Sequence, residues 1–265
     1  MAQDFLNDLR LAHYLAAQVD SVTSTFFRER DFTVEQKPDS SHVTNADRTA
    51  EEVIREQLRR VRPADAVFGE EYGSEGSSGR RWIIDPIDGT ANFVRGVPVW
   101  ATLIGLEVDG QMVVGVVSAP ELSRRWWAAQ GHGAFTGRAL SNARRLQVSG
   151  VDQLSEASLS FSSLHGWAKH ERLRGFFGLS QQVWRTRGYG DFWSYMLVAE
   201  GVVDIACEPE LELYDMAALV PIVQEAGGRF TGLDGRDGPW SGNAVATNGH
   251  LHSAVLDLLA EPTDG

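Results

Sequence analysis

Cysteine and lysine are nearly missing from this 265-residue chain: Cys207 stands alone, and Lys37 and Lys169 are its two lysines. A lone cysteine rules out an internal disulfide and with it a stapled secreted scaffold. With so few lysines, and arginines scattered among acids, no basic face is expected to track a phosphate backbone, so nucleic acid is not an expected partner. Long apolar runs are missing too. Gly96 to Leu106 and Gly110 to Pro120 reach about half of the ~20 residues that span a bilayer, and both contain glycine and proline. Met1 to Arg10 carries Asp4 and Asp8 and no apolar stretch of the kind a signal peptide has. The expectation is a cytoplasmic protein with no membrane partner.

Several nucleotide, metal and hydrolase motifs are absent as well. Neither lysine follows a glycine, so there is no Walker A loop, and no G-x-S-x-G elbow exists for a serine hydrolase. Gly131 to Gly137 is glycine-rich but lacks the G-x-G-x-x-G spacing, which reads as a turn. His250 and His252 have no neighbouring cysteines to build a zinc site.

What is abundant is acid and apolar surface. Thirty-six Asp and Glu against 24 Lys and Arg leave a net charge of −12, and 43% hydrophobic content with eight Trp and twelve Phe can bury a sizeable core. Apolar residues at helical spacing from Phe5 to Val22 predict an N-terminal helix within Asp4 to Phe27. Lys37, Pro38 and Asp39 break the extended run that follows, and Thr44 or Asn45 can cap a second helix that ends at Pro63. Val67 to Gly69 reads as a strand and Gly73 to Gly79 as a flexible loop. Trp82 to Ile84 reads as a strand that stops at Asp85-Pro86, because proline lacks a ladder donor. Ala101 to Val108 and Gln111 to Ser118 flank Asp109-Gly110 as a hairpin, with Arg125 to Ala129 as a third strand. Trp126 and Trp127 on that strand point to opposite faces, so at most one is expected in the core.

After the polar stretch Arg138 to Arg145, strands alternate with helices. The expectation is an α/β protein, with an α+β half over 1–140 and an α/β half over 141–265. One helix, Met216 to Ala226, contains Pro221, which must kink it or cost ~3 kcal/mol.

The chemistry concentrates at Trp82-Ile-Ile-Asp85-Pro86-Ile87-Asp88-Gly89-Thr90. An apolar strand delivers two carboxylates three residues apart, and Gly89 and Thr90 can open a helical turn with free amides. Carboxylates repel phosphate but hold Mg²⁺, which keeps positions open for water and phosphate oxygens. Two further acidic points, Glu70-Glu71 after a strand and Asp215 at a helix start, lie beside apolar sequence. Alone, the first reads as solvated surface and the second as a helix cap.

Together, Gly69-Glu70-Glu71, the run from Trp82 to Arg95, and Tyr214 to Gly228 resemble the three motifs of the inositol monophosphatase family, over nearly the whole chain. The resemblance implies a layered α-β-α-β-α sandwich of the sugar-phosphatase type, a homodimer, and Mg²⁺-dependent hydrolysis of a small phosphate monoester with two or three ions. It implies Glu70, Asp85, Asp88, Asp215 and the Ile87 carbonyl as metal ligands, and Glu70, Thr90 and Asp47 as the catalytic set, Thr90 pairing with Asp47. Asp88, Gly89, Thr90 and Asp215 are implied on the phosphate side of the substrate, and Arg187, Asp191 and Glu208 on the alcohol side. Arg187 has an alternative reading as a surface or interface residue and Asp191 as a helix cap. Val97 to Trp100, Ser158 to Ser163 with Gly166-Trp167, and Arg187 to Phe192 are similar to the actinobacterial histidinol-phosphatase branch of the family. Inositol-1-phosphate or broader sugar-phosphate hydrolysis is the alternative within the class, and an RNA-polymerase-binding regulatory module the alternative outside it.

Overall fold

The computed structural model describes residues 4–36 and 42–260, so the Lys37 to Asp39 break lies outside the described residues. The chain runs through α1 (Leu6–Glu29), the antiparallel pair β1 (Val34–Gln36) and β2 (His42–Thr44), and α2 (Asn45–Val61). Then come β3 (Ala66–Gly69), β4 (Gly73–Glu75), β5 (Arg80–Asp88) and a short α3 (Thr90–Arg95). The hairpin β6 (Ala101–Val108) and β7 (Gln111–Ala119) follows, with β8 (Arg124–Ala129), β9 (Gly133–Gly137) and β10 (Arg144–Arg145). The rest comprises β11 (Ser158–Ser160), α4 (Leu164–Lys169), α5 (Leu173–Gln182), β12 (Arg185–Arg187), α6 (Asp191–Ala199) and β13 (Ile205–Glu208). It closes with α7 (Leu213–Ala217), α8 (Leu219–Glu225), β14 (Arg229–Thr231), β15 (Ala244–Thr247) and α9 (His252–Leu259).

Two main sheets result. The larger is ordered β10-β9-β8-β7-β6-β5-β3-β4, antiparallel except where β3 runs parallel to β5; the smaller is β12-β11-β13-β15-β14. Five layers follow from what each face buries. One face of the larger sheet packs on α1 and α2 through Leu15, Val19, Ile54, Trp82 and Trp127. The other packs on α6, α7 and α8 through Leu103, Val117, Trp126, Met216 and Ile222, and the same core takes in Ala206, Phe230 and Ala246 of the smaller sheet. The outer face of the smaller sheet is covered by α4, α5 and α9 through Trp167, Phe176 and Val255. The fold is thus α/β, layered α-β-α-β-α.

Four local expectations change. Trp126 and Trp127 do face opposite sides of β8, yet both are buried, because helices cover both faces of the sheet. Gly73 to Gly79 is not all loop: Gly73–Glu75 forms the edge strand β4 against β3. Gly133–Gly137 is strand β9 rather than a turn. Strand β5 does not stop at Pro86 but runs to Asp88, with its register against β6 shifting between Asp85 and Asp88. That bulge absorbs the missing proline donor, and Thr102 Oγ1 donates to the Pro86 carbonyl at 2.8 Å.

Pro221 is accommodated by a break: the expected single helix is α7 and α8, joined at Ala218, and Pro221 falls in the first turn of α8, where no intrahelical acceptor is needed.

Candidate functional site

The bulge in β5 decides the geometry of the acids. On a regular strand, residues three apart point to opposite faces; one extra residue restores the parity, and Asp85 and Asp88 turn to the same side. There they meet Asp215 of α7, with one carboxylate oxygen from each of the three lying within 4.8 Å of the others. Asp215 is fixed by its own helix start, where its Oδ2 accepts the Glu212 amide at 2.7 Å. Asp88 Oδ2 accepts the Phe192 amide of α6 at 2.7 Å. Asp85 Oδ1 is buried and has no hydrogen-bond partner among the described residues.

Crowding sets the charge state. Burial, then Glu70, Asp88 and Asp215, raises the Asp85 carboxyl well above its ordinary range. Burial, then Asp191 and Asp215, does the same for Asp88. Burial brings Asp215 to about 6. Such a set is costly as bare anions, and an orphaned buried oxygen with only oxygen donors around it fits a hard divalent cation.

Glu70 lies just past the end of β3, where its amide donates to the Ile84 carbonyl of β5 at 3.2 Å. The turn it opens is held from beneath by Glu51 of α2, fully buried, whose carboxylate accepts the Glu71 and Tyr72 amides at 2.7 and 3.2 Å. Arg55 pairs with Glu51 at 2.7 Å and donates to the Gly73 carbonyl, tying the turn to the helix.

Thr44 is the N-cap of α2, and its capping box has Asp47 as the reciprocal partner. Asp47 Oδ2 therefore takes both the amide and the hydroxyl of Thr44, at 2.8 and 2.6 Å, leaving Oδ1 to the Thr90 hydroxyl at 3.2 Å. Burial lifts Asp47 to about 6. The Thr90 hydroxyl also reaches the Ile87 carbonyl at 3.0 Å. Its one proton can serve a single acceptor at a time. Gly89, the N-cap of α3, has φ +85°, and a Cβ there would lie 3.1 Å from the Val99 carbonyl oxygen and 3.3 Å from Asp191 Oδ2. Both conformation and space demand glycine.

Beside the acids opens a cavity of about 670 Å³, lined by Asp88, Ser162, Asp191, Tyr195, Glu208 and Asp215 among others. Glu208 Oε1 accepts the Ser162 amide at 2.5 Å, and burial pushes its carboxyl up to about 8. The lining includes Lys169, which is engaged by Glu210 at 2.7 Å. Arg187 is not in the lining: it is exposed on β12 and donates to the Thr186 carbonyl at 2.7 Å.

The structure thus brings Asp47, Asp85, Ile87, Asp88, Thr90 and Asp215 together, with Glu70 close enough to act on the Asp85 carboxyl. Asp191 and Glu208 line the adjoining cavity. Sequence reasoning missed the supports Glu51, beneath the Glu70 turn, and Asn92, whose Nδ2 donates to Asp191 Oδ2 at 2.9 Å. Thr44 had a local signal, since T-x-x-D before an apolar periodic run is capping-box spacing.

Comparison with known proteins identifies the family and the fold. The model of the inositol monophosphatase family matches residues 6–263. A histidinol-phosphatase of Streptomyces coelicolor is 60% identical over 260 residues, 97% of this chain and 98% of that protein. A histidinol-phosphatase of Mycobacterium tuberculosis is 56% identical over 254 residues, 96% of this chain and 98% of that protein. Among solved structures, the extragenic suppressor protein suhB of Bartonella henselae superposes with a TM-score of 0.87 at 29% identity, covering 96% of this chain and 99% of that one.

Proposed function

The chain belongs to the inositol monophosphatase family, and on that premise we propose that it is a Mg²⁺-dependent phosphomonoesterase converting L-histidinol phosphate and water to L-histidinol and phosphate. The observation that carries the class is the convergence of Asp85, Asp88 and Asp215 on one point. The substrate rests on the two histidinol-phosphatases that the chain matches over nearly its whole length.

In this reading Glu70, Asp85, Asp88, Asp215 and the Ile87 carbonyl hold two or three Mg²⁺ ions. Bound there, such ions acidify a water and neutralise charge on the oxygens of the transferring phosphoryl group. The protein supplies the proton path. Were the Ile87 carbonyl taken as a ligand, the Thr90 hydroxyl would be left to donate to Asp47 Oδ1 and its oxygen would be free to accept from the attacking water. Burial lifts Asp47 to about 6 in the metal-free protein; with cations beside it the carboxylate form would be favoured, as an acceptor that orients the Thr90 hydroxyl. The first amides of α3, which lack acceptors inside the helix, hold the phosphate oxygens. Asp191 and Glu208 offer acceptors to an amino-imidazole alcohol, which is cationic; neutral inositol has no need of such a pair. Arg187 carries no part of this argument. A module that works only by its surface has no physical need for five converging acids.

The homodimer, the cytoplasmic location and the division at 140/141 belong to the same proposal. The larger sheet takes in β10 (Arg144–Arg145), so the changeover from larger to smaller sheet falls between Arg145 and Ser158, a few residues past that division.

Phosphate release from L-histidinol phosphate and from inositol-1-phosphate under equal Mg²⁺ tests the substrate. A kcat/KM preference of at least about tenfold for the histidinol ester is expected; a preference for the inositol ester would overturn the substrate assignment and leave the class standing.

A further inference from the structure

We propose that Asn92 is a specificity-determining positioning residue, which locks Asp191 so that a single carboxylate oxygen reads the cationic alcohol of the substrate. The inference rests on the reading of the cavity as the alcohol subsite and adds to it the residue that sets the reader's orientation.

Asp191 has little reason to hold its position unaided. It is the first residue of α6, with φ +49°, a left-handed conformation that is uncommon outside glycine though aspartate tolerates it better than most residues. It follows Gly190, itself at φ +81°. Three contacts hold this corner. The Asp191 amide donates to Ser162 Oγ at 2.9 Å, the next amide, of Phe192, goes to Asp88 Oδ2 at 2.7 Å, and Asn92 Nδ2 donates to Asp191 Oδ2 at 2.9 Å. Asn92 is itself anchored, since Nδ2 also donates to the Val99 carbonyl at 2.9 Å.

The consequence is an asymmetry between the two oxygens of Asp191. Oδ2 is taken by Asn92 and lies over Gly89, against the start of α3. Oδ1 accepts no hydrogen bond among the described residues, and the side chain lines the cavity. A carboxylate free to rotate would present either oxygen at any angle; one pinned by an amide presents one acceptor in one direction. Asn92 belongs to α3 together with Thr90. The hydrogen bond therefore ties the helix beside the reacting acids to the group that would read the alcohol. From there the chain of contacts continues through Ser162 to Glu208.

A structural role for Asn92 and a reading role make different forecasts. If Asn92 only braces the loop at Val99, its loss lowers turnover of every ester alike. If it acts through Asp191, its loss falls on esters whose alcohol carries a cation. The experiment is a double-mutant cycle of Asn92→Ala and Asp191→Ala, with kcat/KM measured for L-histidinol phosphate and for ethyl phosphate on the same preparations with saturating Mg²⁺. The readout is the ratio of the two esters, which does not depend on the fraction of protein folded.

Asn92→Ala is expected to lower the ratio roughly tenfold through KM of the histidinol ester, the loss of one hydrogen bond to a charged acceptor. In the Asp191→Ala background the same change should leave the ratio within about twofold. An equal loss for both esters, or an undiminished effect in the Asp191→Ala background, would overturn the proposal. A wild-type enzyme without preference for the histidinol ester would instead refute the substrate reading, a separate result seen before any variant is made.

Discussion

Each carboxyl group of the site is a compromise between burial and use. Asp47 and Asp215 are lifted to about 6 and Glu208 to about 8, in every case first by burial. Their unfolded values lie near 4. Asp85, Asp88 and Asp191 are raised as well. Together these six carboxyls outnumber His13 and His252, which burial lowers to about 3 and 4. Between about pH 4 and 8 the folded, metal-free protein therefore binds more protons than the unfolded chain, and stability falls as pH rises through that window. A cation relieves the same repulsion without protons. The protein stripped with EDTA should melt at a lower temperature at pH 8 than at pH 5 by scanning calorimetry, and Mg²⁺ should raise the melting temperature more at pH 8. A stripped protein equally stable at both values would contradict this. Asp85, Asp88 and Thr90 were legible in the sequence because they stand within six consecutive residues. Asn92 and Glu51 were not, because what they do depends on partners 99 and 20 residues away, which no local pattern encodes.

Helices and strands deliver these residues by close backbone approach. Gly105 of β6 and Gly115 of β7 are paired across the hairpin. A Cβ at Gly105 would lie 2.9 Å from the Ala217 carbonyl carbon, and one at Gly115 would lie 2.1 Å from the Ala218 carbonyl oxygen. The two glycines open a slot for Ala217 and Ala218 at the junction of α7 and α8, two and three residues past Asp215. Gly115→Ala would push that junction off the sheet, at ~1–3 kcal/mol for overpacking. The expected outcome is a melting temperature several degrees lower together with weaker Mg²⁺ activation; parental values of both would show that the slot does not set Asp215. The hairpin itself was readable, since Asp109 and Gly110 take φ +50° and +82° as an Asp-Gly turn of that type requires. The course of β5 was not. Proline argues against a ladder, and only the neighbouring β6 shows that a bulge carries the strand past it.

At the scale of the molecule, five alternating layers bury the apolar excess and leave the acids at the end of β5, where α3, α6 and α7 converge. Layering also explains why both Trp126 and Trp127 are core residues: a sheet covered on one face would have exposed one of them. The alternation of strands and helices after Arg145 made the class readable, whereas the helical cover on both faces of the larger sheet follows from long-range packing. The net charge of −12 takes on a meaning in this frame. Five of the acids, Asp47, Glu70, Asp85, Asp88 and Asp215, are those the proposed site uses, and divalent cations held there would offset them. That a cation at these acids performs the hydrolysis is the central claim. It is tested most directly by phosphate release from L-histidinol phosphate as Mg²⁺ is returned to EDTA-stripped protein, for the wild type and for Asp88→Asn. The expected result is a wild-type rate that rises from the buffer background to full activity, with Asp88→Asn lower by roughly 10²–10³ at every Mg²⁺ concentration. Hydrolysis by the stripped wild type, or full recovery in Asp88→Asn, would contradict it.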